Sequence, residues 1–395
     1  MADPRQAVIT GIGIVSCLGE GPDAHWQRLM EGKPADGTKM IGPYVVHPIG
    51  AIDFDKQIPK RGDQRQMEPW QRIGTYAAGL ALESAGIKGK PELLAQTDMI
   101  VAAGSGERDL AVDAAIITGL PEAKNPATYL NERLMKDLRP TLFLAQLSNL
   151  LAGNISIVHG VTGSSRTFMG EEAAGVDAVR IALARILAGQ SELALVGGSH
   201  NGERKDLLLL YGFGDYNLRD KFAPVWERRE HSGFALGSTG AFLVIESKAH
   251  AMARGAKPFA RLTSVVSDRS HRRQAGEITA SLRKLWSELG ELKAGGAILS
   301  GAPGTEPATS QERAFLSEHP EFAVRSTGTR FGHNLDAQFA LGIGLAALSI
   351  SRGALFPPGD SSGVEIEMSK PPTQIVVTAT GHWRGEGMAL VEAVD

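Results

Sequence analysis

An α/β fold, with a mostly parallel sheet covered by helices on both faces, is predicted by three observations on this sequence. Short apolar runs that end in glycine turns alternate with stretches whose apolar residues recur every three or four positions. The alternation restarts after Gly255, so the chain reads as two similar halves, 1–250 and 251–395. At 395 residues, 43% hydrophobic and with 47 glycines, the chain can bury a large core and turn sharply between many elements.

The elements follow in order. AVITGIGIVS at 7–16 predicts a buried strand followed by a glycine turn. Ile73, Ala77, Leu80, Leu82 and Ala85 give a helix over 71–86 one apolar face. DMIVAAGSG at 98–106 predicts a strand closed by a glycine turn. Over 173–187, Val176, Val179, Leu183 and Ile186 stand at helical spacing, and ELALVGGSH and GAFLVIES then predict two short strands. In the second half come a strand in FARLTSVVSD, a helix near 276–289, a strand in GAILSGAPG, a helix from Ser310 and a long helix after His333.

Composition excludes several classes. Lys and Arg number 41 against 44 Asp and Glu, a formal net charge of -3, which gives no field for a polyanion, so nucleic acid is not expected as a partner. MADPRQAVITGIGIVS lacks the basic and long apolar regions of a signal peptide, and no apolar run reaches the length of a membrane span. A cytoplasmic protein is the expectation. The single cysteine, Cys17, rules out an intrachain disulfide and a cysteine-rich metal site. It sits in IVSCLG just after the first strand, where it reads as a small buried hydrophobe and not as a nucleophile. Neither a metal nor a bound cofactor is expected.

The densest motif is 152–189, AGNISIVHGVTGSSRTFMGEEAAGVDAVRIALARILAG, followed by Val196-Gly197-Gly198. Four further blocks flank it: VITGIGIVSCLGEGPDAHWQRLMEGK, RQMEPWQRIGTYAAGLALESAG, FAPVWERREHSGFALGSTGAFLVIESKAHAMARGAK and STGTRFGHNLDAQFALGIGLAALSI. In this order and spacing the five blocks resemble those of the β-ketoacyl carrier-protein synthases, type II ketosynthases of the thiolase superfamily. The resemblance implies a five-layered αβαβα fold built from two duplicated halves. It also implies an acyl carrier protein as partner, with substrates carried on its phosphopantetheine, and pairing with an identical or a cysteine-bearing ketosynthase subunit.

Those enzymes carry a nucleophilic cysteine in A-C-x-x-G, and here that position is Glu172. A thiolate is nucleophilic at neutral pH, whereas attack by a carboxylate on a thioester gives an anhydride of higher energy. At a helix N-terminus the charge of Glu172 gains about 0.3–1 kcal/mol, while desolvation opposes ionisation and neighbouring Glu171 adds like-charge strain. At least one of the two carboxyls therefore needs a hydrogen bond from backbone, a cation, or a proton.

The first family histidine falls on Pro303, which offers neither a proton nor a donor, and the family's threonine loop transfers only to Thr305. The second histidine is retained as His333, and the lysine before it falls on Gly328. The family's C-terminal glycine loop, whose aromatic gates the acyl channel, aligns with 382–387. It keeps the aromatic as Trp383 and gains Arg384, a candidate counter-charge for Glu171 or Glu172. Arg269, Arg272 and Arg273 lie where related enzymes have an entrance loop and are candidates to dock an acidic carrier.

Three readings follow. The first is a ketosynthase-family subunit that does not condense, similar to the chain-length-factor partners of active synthases. The second is an active 3-oxoacyl synthase that elongates acyl-carrier with malonyl-carrier, which needs a nucleophile this sequence does not contain. The third is a hydrolase or lyase built on Glu172 and His333.

Overall fold

A computed structural model describes residues 5–32, 38–104, 106–140, 142, 146–228, 231–293 and 295–394. Residues 1–4, Lys33, Ser105, Arg229 and Glu230, which fall in motifs quoted above, lie outside the described residues.

The first half contributes β1 (Ala7–Ser16), β2 (Asp98–Ala102), β3 (Ser165–Phe168), β4 (Leu193–His200) and β5 (Thr239–Ser247). The second half contributes β6 (Ala260–Asp268), β7 (Ala297–Ser300), β8 (Ala323–Ser326), β9 (Gln374–Thr380) and β10 (Glu386–Glu392). Their spatial orders are β3-β2-β4-β5-β1 and β8-β7-β9-β10-β6, the same ranking within each half. Antiparallel pairing of Ala7 with Leu262 and Ile9 with Ala260 joins β1 to β6, so these ten strands, with the short strand Gly19–Glu20 paired to β1, form one 11-stranded sheet among the described residues. The boundary expected at 250 and 251 falls inside the helix Lys248–Ala253.

The sheet is mixed and not mostly parallel. Strands β2, β3 and β4 run parallel, as do β7, β8 and β9, but β5 and β10 are antiparallel to both of their neighbours. A parallel crossover needs about a dozen residues or more, and the loop 381–385 between β9 and β10 is too short for one.

The helices that matter for the site are α1 (Pro69–Ser84), α2 (Glu172–Leu187), α3 (Lys205–Phe213), α4 (Glu277–Glu288), α5 (Ala308–Leu316) and α6 (Gln338–Arg352). Helices α2 and α6 touch each other and strands of both halves, which makes them a central layer between two sheet layers. Helix α1 covers the far face of the first half, and α4 and α5 pack together over the second. This gives the five layers of the thiolase type. Residues 338–350 of α6 are buried on every side, as an all-round apolar helix must be. Glu68 and Gln71 form a capping box at the start of α1. Gly13 is required where α1 crosses β1, because a Cβ there would stand 2.0 Å from the Ala77 carbonyl oxygen.

Candidate functional site

Helix α2 runs through the centre of the molecule, so its first residue opens into the interior. The chain enters it through Gly170 at φ 142° and Glu171 at φ 58°, a left-handed conformation for a residue with a side chain. That backbone costs roughly 1–3 kcal/mol and persists because packing on both sides fixes the turn. Glu172 follows as the first helical residue, with 3% of its surface exposed.

Two imidazoles meet the Glu172 carboxylate. His333 Nε2 lies 2.6 Å from Oε1, His382 Nδ1 lies 2.9 Å from the same oxygen, and the His382 backbone N–H donates to it at 3.1 Å. His333 is placed by backbone pairing. Its N–H donates to the Ala235 carbonyl at 2.7 Å, its carbonyl accepts from Gly237 at 2.9 Å, and its ring stacks on Phe234. His382 sits in the β9–β10 hairpin, with its ring edge-on to Tyr211, Tyr216 and Phe234.

Burial opposes ionisation of Glu172, but the charge of His382 and the hydrogen bonds from both imidazoles outweigh it and hold the carboxyl well below its usual range. Burial would lower His382, yet the adjacent Glu172 carboxylate lifts it above the ordinary histidine value. Each group thus favours the charged form of the other, and the His382 backbone N–H is the backbone donor that the sequence required for one of the two glutamates.

Glu171 takes its bonds elsewhere, from the Tyr211 hydroxyl at 2.8 Å and the Trp383 indole N–H at 3.1 Å. A cavity of about 110 Å³ lies beside it, lined by Glu171, Tyr211, His200, Arg204, Leu335 and Asp336 among others. Burial, reinforced by Glu172 and Glu171, pushes Asp336 up to about 8, and burial pushes His200 down to about 3.

The other residues expected from the sequence are placed as follows. Pro303 is buried in the turn after β7, and no hydrogen bond among the described residues links that turn to Glu172. Thr305 is buried in the same turn; its carbonyl accepts from Thr309 at 2.9 Å and its hydroxyl has no partner among the described residues. Trp383 is 52% exposed and donates its indole N–H to Glu171. Arg384 forms no ion pair with either glutamate among the described residues: its guanidinium lies over the Trp383 ring, 5.1 Å from the centroid, on an exposed side chain. The side-chain partners of Glu172 are His333 and His382 instead.

Arg272 also departs from the docking expectation. It turns inward, 10% exposed, to bond Glu386 at 2.8 Å and the Gly381 carbonyl at 2.7 Å, so it braces the hairpin that carries His382. Arg269 and Arg273 remain exposed. Cys17 shares no hydrogen bond with this cluster among the described residues; it sits against His47 and the Arg330 carbonyl, and burial pushes its thiol up to about 12.

His382 was absent from the sequence-derived site. The signal lay in the aligned glycine loop itself, where a histidine replaces the first glycine beside Trp383 and Arg384. Glu172, His333 and His382 each offer one ligand atom, all within 4.8 Å of one another, and form the one such group found among the described residues.

The layered fold and the position of Glu172 at the start of the central helix define a thiolase-type α/β protein. Residues 5–251 match the family described as "Beta-ketoacyl synthase, N-terminal domain", and the chain belongs to the β-ketoacyl synthase family. It is similar to the 3-oxoacyl-acyl-carrier-protein synthase 2 of Vibrio harveyi, 27% identical over 274 residues that cover 65% of this chain and 61% of that protein. The chain thus spans about three fifths of that relative's length. A second relative is the tetracenomycin polyketide synthase ketoacyl synthase beta subunit of Streptomyces glaucescens, 26% identical over 413 residues that cover 98% of this chain and 97% of that one. Among solved structures, the ishigamide ketosynthase/chain length factor superposes with a TM-score of 0.81 at 18% identity, covering 100% of both chains. Among the described residues no helix is long and apolar enough to cross a membrane.

Proposed function

We propose that this chain is a ketosynthase-family subunit without condensing activity, which pairs with a cysteine-bearing synthase and meets acyl carrier protein in fatty-acid or polyketide assembly. One observation carries the reading: the nucleophile position holds Glu172, whose carboxylate is occupied by His333 and His382. A carboxylate held as an anion by two imidazoles has no route to a stable acyl-enzyme, because the anhydride it would form lies above the thioester. The full-length likeness to a ketoacyl synthase beta subunit supports the same role. The exposed edge strand β3 supports an interface there, with Ile157 and Met169 exposed on the segments that flank it.

The test is incubation of the pure chain with acyl- and malonyl-carrier, read by intact mass, together with affinity capture of a co-expressed cysteine-bearing homologue. No acyl adduct and stoichiometric capture are expected. An acyl adduct on this chain, or condensation by it alone, overturns the reading. The second imidazole gives hydrolysis or lyase chemistry a specific observation in its favour, since Glu172 and two histidines form an acid–base set. Release of free acid from acyl-carrier that disappears in Glu172→Gln would support that alternative.

A further inference from the structure

We propose that Glu172, His333 and His382 bind a divalent transition-metal cation, with zinc as the resident ion. Three separate elements converge to make the set: the first turn of α2, the turn before α6 and the β9–β10 hairpin. The donors are a carboxylate oxygen, an Nε2 and an Nδ1, on side chains 3%, 1% and 3% exposed. Two imidazoles and one carboxylate, with one position left open, is the donor set of a catalytic-type zinc site.

Distance allows it. Zinc bonds of about 2.0–2.1 Å in tetrahedral geometry separate neighbouring ligand atoms by roughly 3.3 Å. Here Oε1 lies 2.6 Å from His333 Nε2 and 2.9 Å from His382 Nδ1, so these contacts need to lengthen by roughly 0.7 and 0.4 Å, while the two ring nitrogens already lie within 4.8 Å of each other. The carboxylate ends a flexible side chain and His382 sits on a hairpin loop, so both can make that adjustment.

Charge is the second, independent observation. Glu171 and Glu172 are adjacent, and neither has a Lys or Arg partner among the described residues. The nearby arginines already have acids or rings of their own: Arg272 bonds Glu386, Arg204 bonds Asp206, and Arg384 lies over Trp383. A divalent cation bound by Glu172 and the two imidazoles would replace the proton shared by Glu172 and His382 and supply charge that no Lys or Arg provides there. Soft thiolates are absent from the set, while imidazole and carboxylate suit zinc and its first-row neighbours. The sequence assigned no metal to this chain because His382 was not recognised as a neighbour of Glu172. The proposal does not depend on whether the chain condenses or pairs with another subunit.

The experiment uses untagged full-length protein, stripped with a chelator and titrated with Zn²⁺ against a chromogenic competitor. Bound zinc is counted by mass spectrometry after equilibrium dialysis. About one zinc per chain, with submicromolar affinity, is expected. Stripped protein should develop the visible d–d bands of low-coordinate cobalt on addition of Co²⁺. Glu172→Gln keeps the side-chain volume but removes the anionic ligand, and His382→Ala removes an imidazole. Each should weaken zinc binding by more than about 100-fold, beyond the usual cost of disturbing an outer-shell partner. His271→Ala, on an exposed side chain, should change nothing. Circular dichroism checks that each variant is folded, and Glu172→Gln decides the matter if His382→Ala is not. Failure of folded wild type to retain zinc, or equal affinity in Glu172→Gln, overturns the proposal.

Discussion

His382 Nδ1 lies 2.9 Å from a Glu172 carboxylate oxygen that also accepts the His382 backbone N–H at 3.1 Å, across 210 residues of sequence. One residue of the β9–β10 hairpin thus supplies both a charge and a backbone donor to the first residue of α2. Together with His333 it leaves that oxygen no spare capacity for a thioester carbonyl.

This relationship sets the cost of removing Glu172. In chelator-treated protein, Glu172→Ala leaves the His382 backbone N–H and ring donors buried without an acceptor, at a cost of about 1–3 kcal/mol for each stranded group. Glu172→Gln keeps an acceptor of similar shape and should cost about 1–3 kcal/mol. Urea denaturation of the three proteins gives the ranking directly, and an alanine variant as stable as wild type would contradict the buried cluster.

Restoring the family nucleophile should not restore condensation. In Glu172→Cys the thiol would have His333 and His382 nearby, but Pro303 still supplies no donor from the turn after β7. Loss of one positioned acid–base or oxyanion group typically costs about 10²–10⁴ in rate. A continuous assay with acyl- and malonyl-carrier should therefore read background turnover, and efficient condensation by this single variant would refute the argument.

Acid stability should depend on Glu246, far from the site. Burial opposes its ionisation, but hydrogen bonds from Arg254, Thr10 and His250 hold the carboxyl below its ordinary value. The folded state then binds fewer protons than the unfolded chain, so stability rises with pH through this window. The contribution is complete above the unfolded carboxyl value of about 4.3 and is lost as pH falls through the lower folded value. Denaturation midpoints should drop more steeply between pH 5 and about 3 in wild type than in Glu246→Gln. Parallel slopes would contradict this.

Much of the architecture was legible because periodicity and glycine placement are local properties. The strand 7–16 and the helices that became α1 and α2 emerged within a residue or two of their expected ends. Strand direction was less legible, because β5 and β10 are antiparallel through pairings that no local pattern encodes. The helices Leu110–Gly119 and Pro126–Asp137 were not read at all. The first has apolar residues around its whole circumference and so shows no helical stripe. At the site, Glu172 and His333 stood out because they align with motif positions. His382 also fell on an aligned position but replaced a glycine of no chemical role, whereas Tyr211 and Asp336 did not stand out, since only tertiary packing brings their elements to the start of α2.

Cys17 offers a check on the claim that the chain carries no hidden nucleophile. With its thiol pushed up to about 12 by burial, the thiolate fraction at pH 8 is about 10⁻⁴, some 10³-fold below that of a free cysteine. Native protein should react with a thiol reagent about that much more slowly than urea-unfolded protein, and Cys17→Ser should behave as wild type in every carrier assay. Rapid native labelling would reopen the case for a catalytic thiol.

The basic segment 269–273 should divide into two roles that mutagenesis can separate. Arg272 is 10% exposed, bonds a fully buried Glu386, and takes the Gly381 carbonyl at the base of the hairpin that presents His382. Arg272→Ala strands that carboxylate, although Ser270 still donates to it from its backbone N–H at 2.9 Å and its hydroxyl at 2.7 Å. A loss of about 3 kcal/mol is expected, at the lower end for a broken buried pair. Amide exchange across 381–386 should accelerate with it, because the anchor of the loop is gone. Arg269 and Arg273 are exposed, so replacing both with alanine should change stability by no more than about 0.5 kcal/mol. If these two dock an acidic carrier, their loss slows association and flattens its dependence on salt. An Arg272→Ala protein with native stability and unchanged exchange would show that the hairpin holds His382 without it.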